Sequence, residues 1–166
     1  MIGRRSRLSI LLAITLILSN IPWLVVAGEG IPHFADLRNG SFEEWTDDIP
    51  DYWNGSITNI PLSGVARYTD SAHSGSSSLQ LINTSGTGRR FTTQGYQIYS
   101  GVEYTVSYWV RGKGDIRVRY HDGSYKDIGG TAYYSIDSAE WTNIEVSFTA
   151  DTTYSDTQLI LFVRNT

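Results

Sequence analysis

The chain has no cysteine, one methionine, four prolines and three histidines among its 166 residues. Without thiols, neither disulfides nor thiolate metal centres can brace it, so the folded state rests on a hydrophobic core with at most a hard cation added. The histidines, His33, His73 and His121, stand far apart, with no His-Glu-x-x-His spacing and no nucleophile elbow. Carboxylate pairs of the kind used in glycoside hydrolysis are too common in an acidic chain for spacing to select one. Catalysis therefore finds no support in the residues. Beyond the first few residues no cluster of lysine or arginine stands out, which disfavours nucleic acid, since phosphate neutralisation supplies most of that affinity. No segment sustains an apolar period of 3.6, so a helical fold is disfavoured as well.

What is present begins with residues 1–27, which read as an export signal. Arg4, Arg5 and Arg7 form a basic start, Leu8 to Leu18 an apolar stretch, and Val25-Val26-Ala27 small residues for cleavage after Ala27. An uncleaved membrane anchor is the alternative, because apolar residues run on through Ile21 and Leu24, although Asn20 and Pro22 interrupt them. Cleavage removes three arginines and no acid, lowering 13 basic residues to 10 against 17 acidic ones, a net charge of about −7. The expected setting is secreted or cell-surface. Residues 28–36 are a short lead, and residues 37–166 have the length of one domain.

That domain reads as all-β. Short alternating runs are separated by Gly, Ser, Asn and Asp clusters, with turns expected at Asn39-Gly40, Asn54-Gly55, Ser85-Gly86, Gly112 to Gly114, Asp122-Gly123 and Gly129-Gly130. Leu79 and Leu81 point inward from one run, Ile116, Val118 and Tyr120 from another, and Ile144, Val146 and Phe148 from a third. The run from Thr157 to Arg164 is apolar on both parities near its centre, which fits one face in the core and the other on a covered or ligand-lined surface. Asn83 to Arg90 reads as a loop. Strands at this spacing suggest a sandwich.

One run carries the functional hint. In Gly101 to Gly114, Tyr104, Val106, Tyr108 and Val110 share one side, and Thr105, Ser107, Trp109 and Arg111 the other. An indole among hydroxyls and a guanidinium on the side that should be wet suits a flat, hydroxylated ligand, and so a sugar. Gln80, Arg111, Arg117, Arg119 and His121 can join Trp109 on one outer face if their runs pair as neighbours. Arginines there also favour an anionic sugar. Tyr125, Tyr133 and Tyr134 lie in a glycine-rich segment that can close over such a groove or staple the sandwich edge. The plain alternative is an exposed sheet face with ion pairs to acids such as Glu145. Trp53 and Trp141 each open a run where an indole is expected in the core, and Trp45 fits either place.

Five motifs occur in a familiar order: Asn39-Gly-Ser-Phe-Glu43, Pro50-Asp-Tyr-Trp53, His73-Ser-Gly-Ser-Ser-Ser-Leu-Gln-Leu81, Gly101 to Val110, and Glu140 to Thr149. Together they resemble the carbohydrate-binding modules of families 4, 9 and 22, over about residues 37 to 166. The resemblance implies a jelly-roll β-sandwich of two antiparallel sheets, galactose-binding-like, that binds polysaccharide or oligosaccharide without catalysis. It also implies a structural calcium. Gly40 and Gly75, through their carbonyls, and Glu43 are the matching candidate ligands, but the acidic residue of the family's final strand has no counterpart before Thr166. The match stops one strand short, which leaves an edge expected to stand unpaired. Glu43 and Glu44 also read simply as surface carboxylates beside a turn.

Two other readings remain open: a structural or adhesive domain of a surface protein, and the accessory domain of a larger glycoside hydrolase. The Asn-x-Ser/Thr triplets at Asn39, Asn54 and Asn83 serve turns unless a host glycosylates them.

Overall fold

The computed structural model describes residues 10–15 and 37–166. The remainder of the expected export signal and the lead at residues 28–36 lie outside the described residues. The strands are β1 (Ile10–Thr15), β2 (Trp45–Thr46), β3 (Ile49–Pro50), β4 (Val65–Tyr68), β5 (Ser78–Leu81), β6 (Arg89–Thr92), β7 (Tyr96–Ile98), β8 (Glu103–His121), β9 (Tyr125–Asp127), β10 (Tyr134–Thr149) and β11 (Tyr154–Arg164). Every pairing among the described strands is antiparallel.

The expected turn at Gly112 to Gly114 does not form. Both glycines lie inside β8, with φ of 114° and 142°, and the strand runs unbroken for 19 residues. Glycine tolerates those angles where a side chain is strained. At Gly114 a Cβ would also lie 2.4 Å from Thr166 Cγ2, so close approach of the β11 end adds a second reason for glycine. The alternation survives the crossing. Tyr104, Val106, Tyr108, Val110, Ile116, Val118 and Tyr120 all face the core, none more than 3% exposed.

The length of β8 joins the layers of the sandwich. One of its edges pairs with β1 along Ser107–Gly112 and then with β11 along Asp115–His121; the other pairs with β10 and then β9. One layer runs β4-β5-β1-β8, and the other continues β8-β11-β6. Between them pack Leu79, Leu81, Phe91, Leu159, Leu161 and Val163, all 0% exposed. Trp53 is in this core as expected, stacked on Phe91 at 5.7 Å and tilted against Phe42 at 5.0 Å, with Nε1 donating to the Asn39 carbonyl. Trp45 is half-buried against the same cluster.

β1 lies between β5 and β8, with Ile10 opposite both Leu81 and Gly112. It runs in the same direction as β11 and in line with its end, where Arg164 faces Asp115 and Thr166 donates its N–H to the Asn83 carbonyl. β1 belongs to the segment expected to be removed with the export signal, and it lies along the β8 edge past the end of β11.

Two further expectations are corrected. The stretch read as a loop to Arg90 turns into strand at Arg89, because β6 finds β11 as its partner. Trp141 is half-buried on the outside rather than in the core. Ile144 faces inward, and counting back by twos from it puts residue 142 inward and 141 outward, where Trp141 ends the register shift between Ser138 and Thr142.

Candidate functional site

The outer side of the β6-β11-β8 layer forms a grid fixed by strand register. Arg90, Phe162 and Arg117 make one row; Thr92, Ile160, Arg119 and Asp127 the next; Gln158, His121 and Tyr125 the third. The second apolar parity of β11 therefore supplies a floor, and Phe162, only 9% exposed, is covered by arginines. The Arg117 guanidinium lies 5.1 Å from the Phe162 ring centre and 4.8 Å from that of Tyr133; Arg119 lies 5.9 Å from Phe162 and 5.5 Å from Tyr125. Arg90 reaches Tyr125 at 5.5 Å, and Arg164 reaches Tyr133 at 4.1 Å. His121 meets Tyr125 edge-on at 5.0 Å. Guanidinium planes and phenol rings thus alternate across the face, each contact adding about 0.5–1 kcal/mol where exposed.

The walls come from loops. Thr58 shares a hydrogen bond with Thr92, and Gln158 donates to the Ser56 hydroxyl while accepting from Thr92, which ties the 55–60 segment to one side. On the other side Tyr133 leans so far over that a Cβ on Gly88 would lie 2.3 Å from its hydroxyl oxygen. Tyr125 keeps 42% of its surface exposed and Tyr134 55%.

The charges are unevenly matched. Arg119 is 2.7 Å from Asp127, off the axis of a proper hydrogen bond, and Arg164 is 2.9 Å from Asp115. Asp115 also accepts from the Ser135 hydroxyl and the Asn165 amide, and the Ser135 bond leads the effects that hold its carboxyl below the ordinary aspartate range. Among the described residues Arg90 and Arg117 have only neutral acceptors, the carbonyls of Ile57 and Thr131. Arg117 Nε is buried with no acceptor.

The structure divides the expected ligand residues. Arg117, Arg119, His121 and Tyr125 belong to this face. Trp109 and Arg111 lie further back along β8, with Trp109 eight residues before Arg117, about 26 Å at strand rise. Gln80 joins their layer from β5, across β1 from Arg111. The single face expected for all of them does not form, because β5 meets β8 only through β1 and β8 passes into the other layer beyond Gly112. One side of the Trp109 indole is covered: the His73 ring stacks on it at 4.0 Å and 13°, with Trp141 edge-on to His73 at 6.0 Å and Arg111 over Trp141 at 5.4 Å. Asn143, opposite Trp109, donates to Ser107.

Sequence reasoning missed Arg90, Arg164 and Phe162 as members of the face. Phe162 had a signal in the double parity of its run. Arg90 had none, because its place depends on the β6-β11 pairing, and His73 reaches Trp109 from a distant loop.

At the expected calcium position, Glu43 Oε1 accepts from the Ser76 and Ser77 N–H groups and Oε2 from the Ser76 hydroxyl. Burial pushes its carboxyl up, but these bonds more than offset it and the pKa is lowered. Gly75 packs against this carboxylate: a Cβ there would lie 2.4 Å from Oε1. A carboxylate ringed by donors suits a loop clasp, whereas calcium needs six to eight oxygens. Among the described residues no group of three or more His, Cys, Asp or Glu could hold a metal. Asn39 and Asn83 use their side-chain amides on backbone carbonyls: Asn39 on Glu44 and Asp51, Asn83 on Thr87 and Val163.

The family model described as "Carbohydrate binding domain" matches residues 35–166. Among solved structures, the family 22 xylan-binding domain of a Paenibacillus barcinonensis protein is similar, at 16% identity and a TM-score of 0.51, covering 74% of this chain and 80% of that one. A family 16 carbohydrate-binding module aligns at 19% identity and a TM-score of 0.45, covering 68% of this chain and 79% of that one. Comparison with curated proteins gave no match.

Proposed function

Given that the chain belongs to this family of carbohydrate-binding domains, we propose that it is an exported, non-catalytic module that holds polysaccharide on the outer side of the β6-β11-β8 layer. The observation that carries this reading is the alternation of tyrosine rings and guanidinium edges over Phe162. A pyranose needs a flat apolar partner for its C–H face and donors to replace water at its hydroxyls. Tyr125, exposed at the rim, supplies the platform, and Arg117, Arg119 and His121 supply the donors. Trp109 is set aside because it lies eight residues back along β8 from Arg117, in the other layer, with one side covered by His73.

Affinity electrophoresis through gels containing soluble xylan, mixed-linkage glucan or uronate-bearing polymers tests this. Retardation in at least one gel that disappears in Tyr125→Ala, with the variant still folded, supports the assignment. Migration unaffected by every glycan would sink it. The adhesive alternative would then be judged by whether light scattering shows self-association.

A further inference from the structure

We infer that the glycan is anionic, a polymer carrying uronic acid, with a carboxylate seated against Arg117 and a second positive charge from Arg90. The inference rests on the sugar-binding reading of the same face and extends it to the ligand's charge.

Two cations on this face are unmatched. Arg90 and Arg117 both pair in register with Phe162, one from each side, so their Cα atoms stand about 10 Å apart across two strand spacings. The neighbouring cations are already neutralised, Arg119 by Asp127 and Arg164 by Asp115. Among the described residues neither Arg90 nor Arg117 has an acidic partner; each donates only to a backbone carbonyl. Arg117 is also held between the Tyr133 and Phe162 rings, which fixes its plane and removes water from its faces. Its Nε is buried, so the donors open to a ligand are those of the terminal nitrogens, one of which already reaches the Thr131 carbonyl. A half-buried guanidinium without a counter-ion is costly unless an anion completes it, and a carboxylate matches its planar donor edge in paired hydrogen bonds. Hydroxyl recognition alone needs no net charge. Two uncompensated cations on one face of an otherwise acidic chain are what a carboxylate-bearing sugar supplies with partners, and the exposed Tyr125 ring leaves room for the adjoining pyranose.

The test uses matched polymers: glucuronoxylan, polygalacturonate and alginate, each native and after chemical reduction of its carboxyl groups to alcohols. Binding is measured by depletion or calorimetry at low and high salt. The expected result is retention of at least one native polymer, weakened about tenfold or more by carboxyl reduction and markedly by salt. Arg117→Gln should bind native and reduced forms alike. Arg117→Lys, which keeps charge but not the paired geometry, should fall between them, and thermal melting confirms that each variant is folded. Equal affinity for native and reduced forms overturns the anionic assignment while sugar binding stands. Failure to bind any of these polymers, or neutral xylan and glucan beside them, overturns both.

Discussion

Replacing Trp109 by alanine should cost stability and leave sugar affinity nearly unchanged, the reverse of what strand parity alone suggests. The stack with His73, at 4.0 Å and 13°, is the kind of aromatic contact that contributes about 0.5–1.5 kcal/mol beyond area burial. A half-buried indole hides roughly 100 Å² of apolar surface, worth about 2.5 kcal/mol. Together these give a loss of about 3 kcal/mol, somewhat less if the 71–77 segment relaxes onto the gap. For a domain of this size that lowers Tm by about 6–12 °C. Thermal melting followed by circular dichroism, paired with affinity electrophoresis well below the new Tm, reads both effects. An unchanged Tm with a clear loss of retardation would refute the reasoning, and would move the sugar platform to the Trp109, Trp141 and Arg111 cluster.

Three other predictions follow from the same contacts. Glu43 has a folded pKa below its ordinary value of 4.5, so its stabilisation is complete above about pH 4.5 and is lost as pH falls through the folded pKa. Glu43→Gln should therefore cost about 1–2 kcal/mol at neutral pH, a difference that vanishes in acid; urea midpoints for both proteins from pH 2.5 to 7 check this, and a gap constant with pH contradicts it. A chain lacking residues 1–27 loses β1, so hydrogen exchange should quicken at Ser78–Leu81 and Ser107–Gly112 while Asp115–His121 stays protected beside β11; equal protection with and without the segment would mean that β1 does not seal those edges. Chelation with EDTA should leave Tm within about 1 °C, because Glu43 is already satisfied by serine donors, whereas a rise of several degrees on adding calcium would restore the ion to that turn.

The parts of the fold legible in the sequence are those governed by nearest neighbours along the chain. Alternation named the core side of β8, β5 and β10, because a half-buried strand must segregate its side chains by twos. The doubled parity of β11 pointed to a second covered surface, and Ile160 and Phe162 provide it. Local signals misled where geometry is decided elsewhere. Gly112 and Gly114 look like a turn, yet they serve the close approach of Thr166 and the passage of one strand between layers. Trp141 was assigned to the core from its place at the opening of a run, although parity counted from Ile144 puts it outside. The site was half legible: Arg117, Arg119, His121 and Tyr125 fall on one short hairpin, so sequence proximity assembles them. Arg90, Phe162 and Tyr133 join only through long-range pairing and loop placement, and no local pattern encodes their meeting.

Where a sugar touches the domain decides between the β6-β11-β8 face and the Trp109 cluster. Titrating an isotopically labelled protein with short oligosaccharides of whichever uronate polymer the domain retains, and following backbone and arginine side-chain resonances, locates the contact. The prediction is saturable shifts at Arg90, Arg117, Arg119, Tyr125 and Phe162, with Trp109 and Trp141 unmoved. Shifts confined to Trp109, Arg111 and Trp141, or none at any residue, would contradict it.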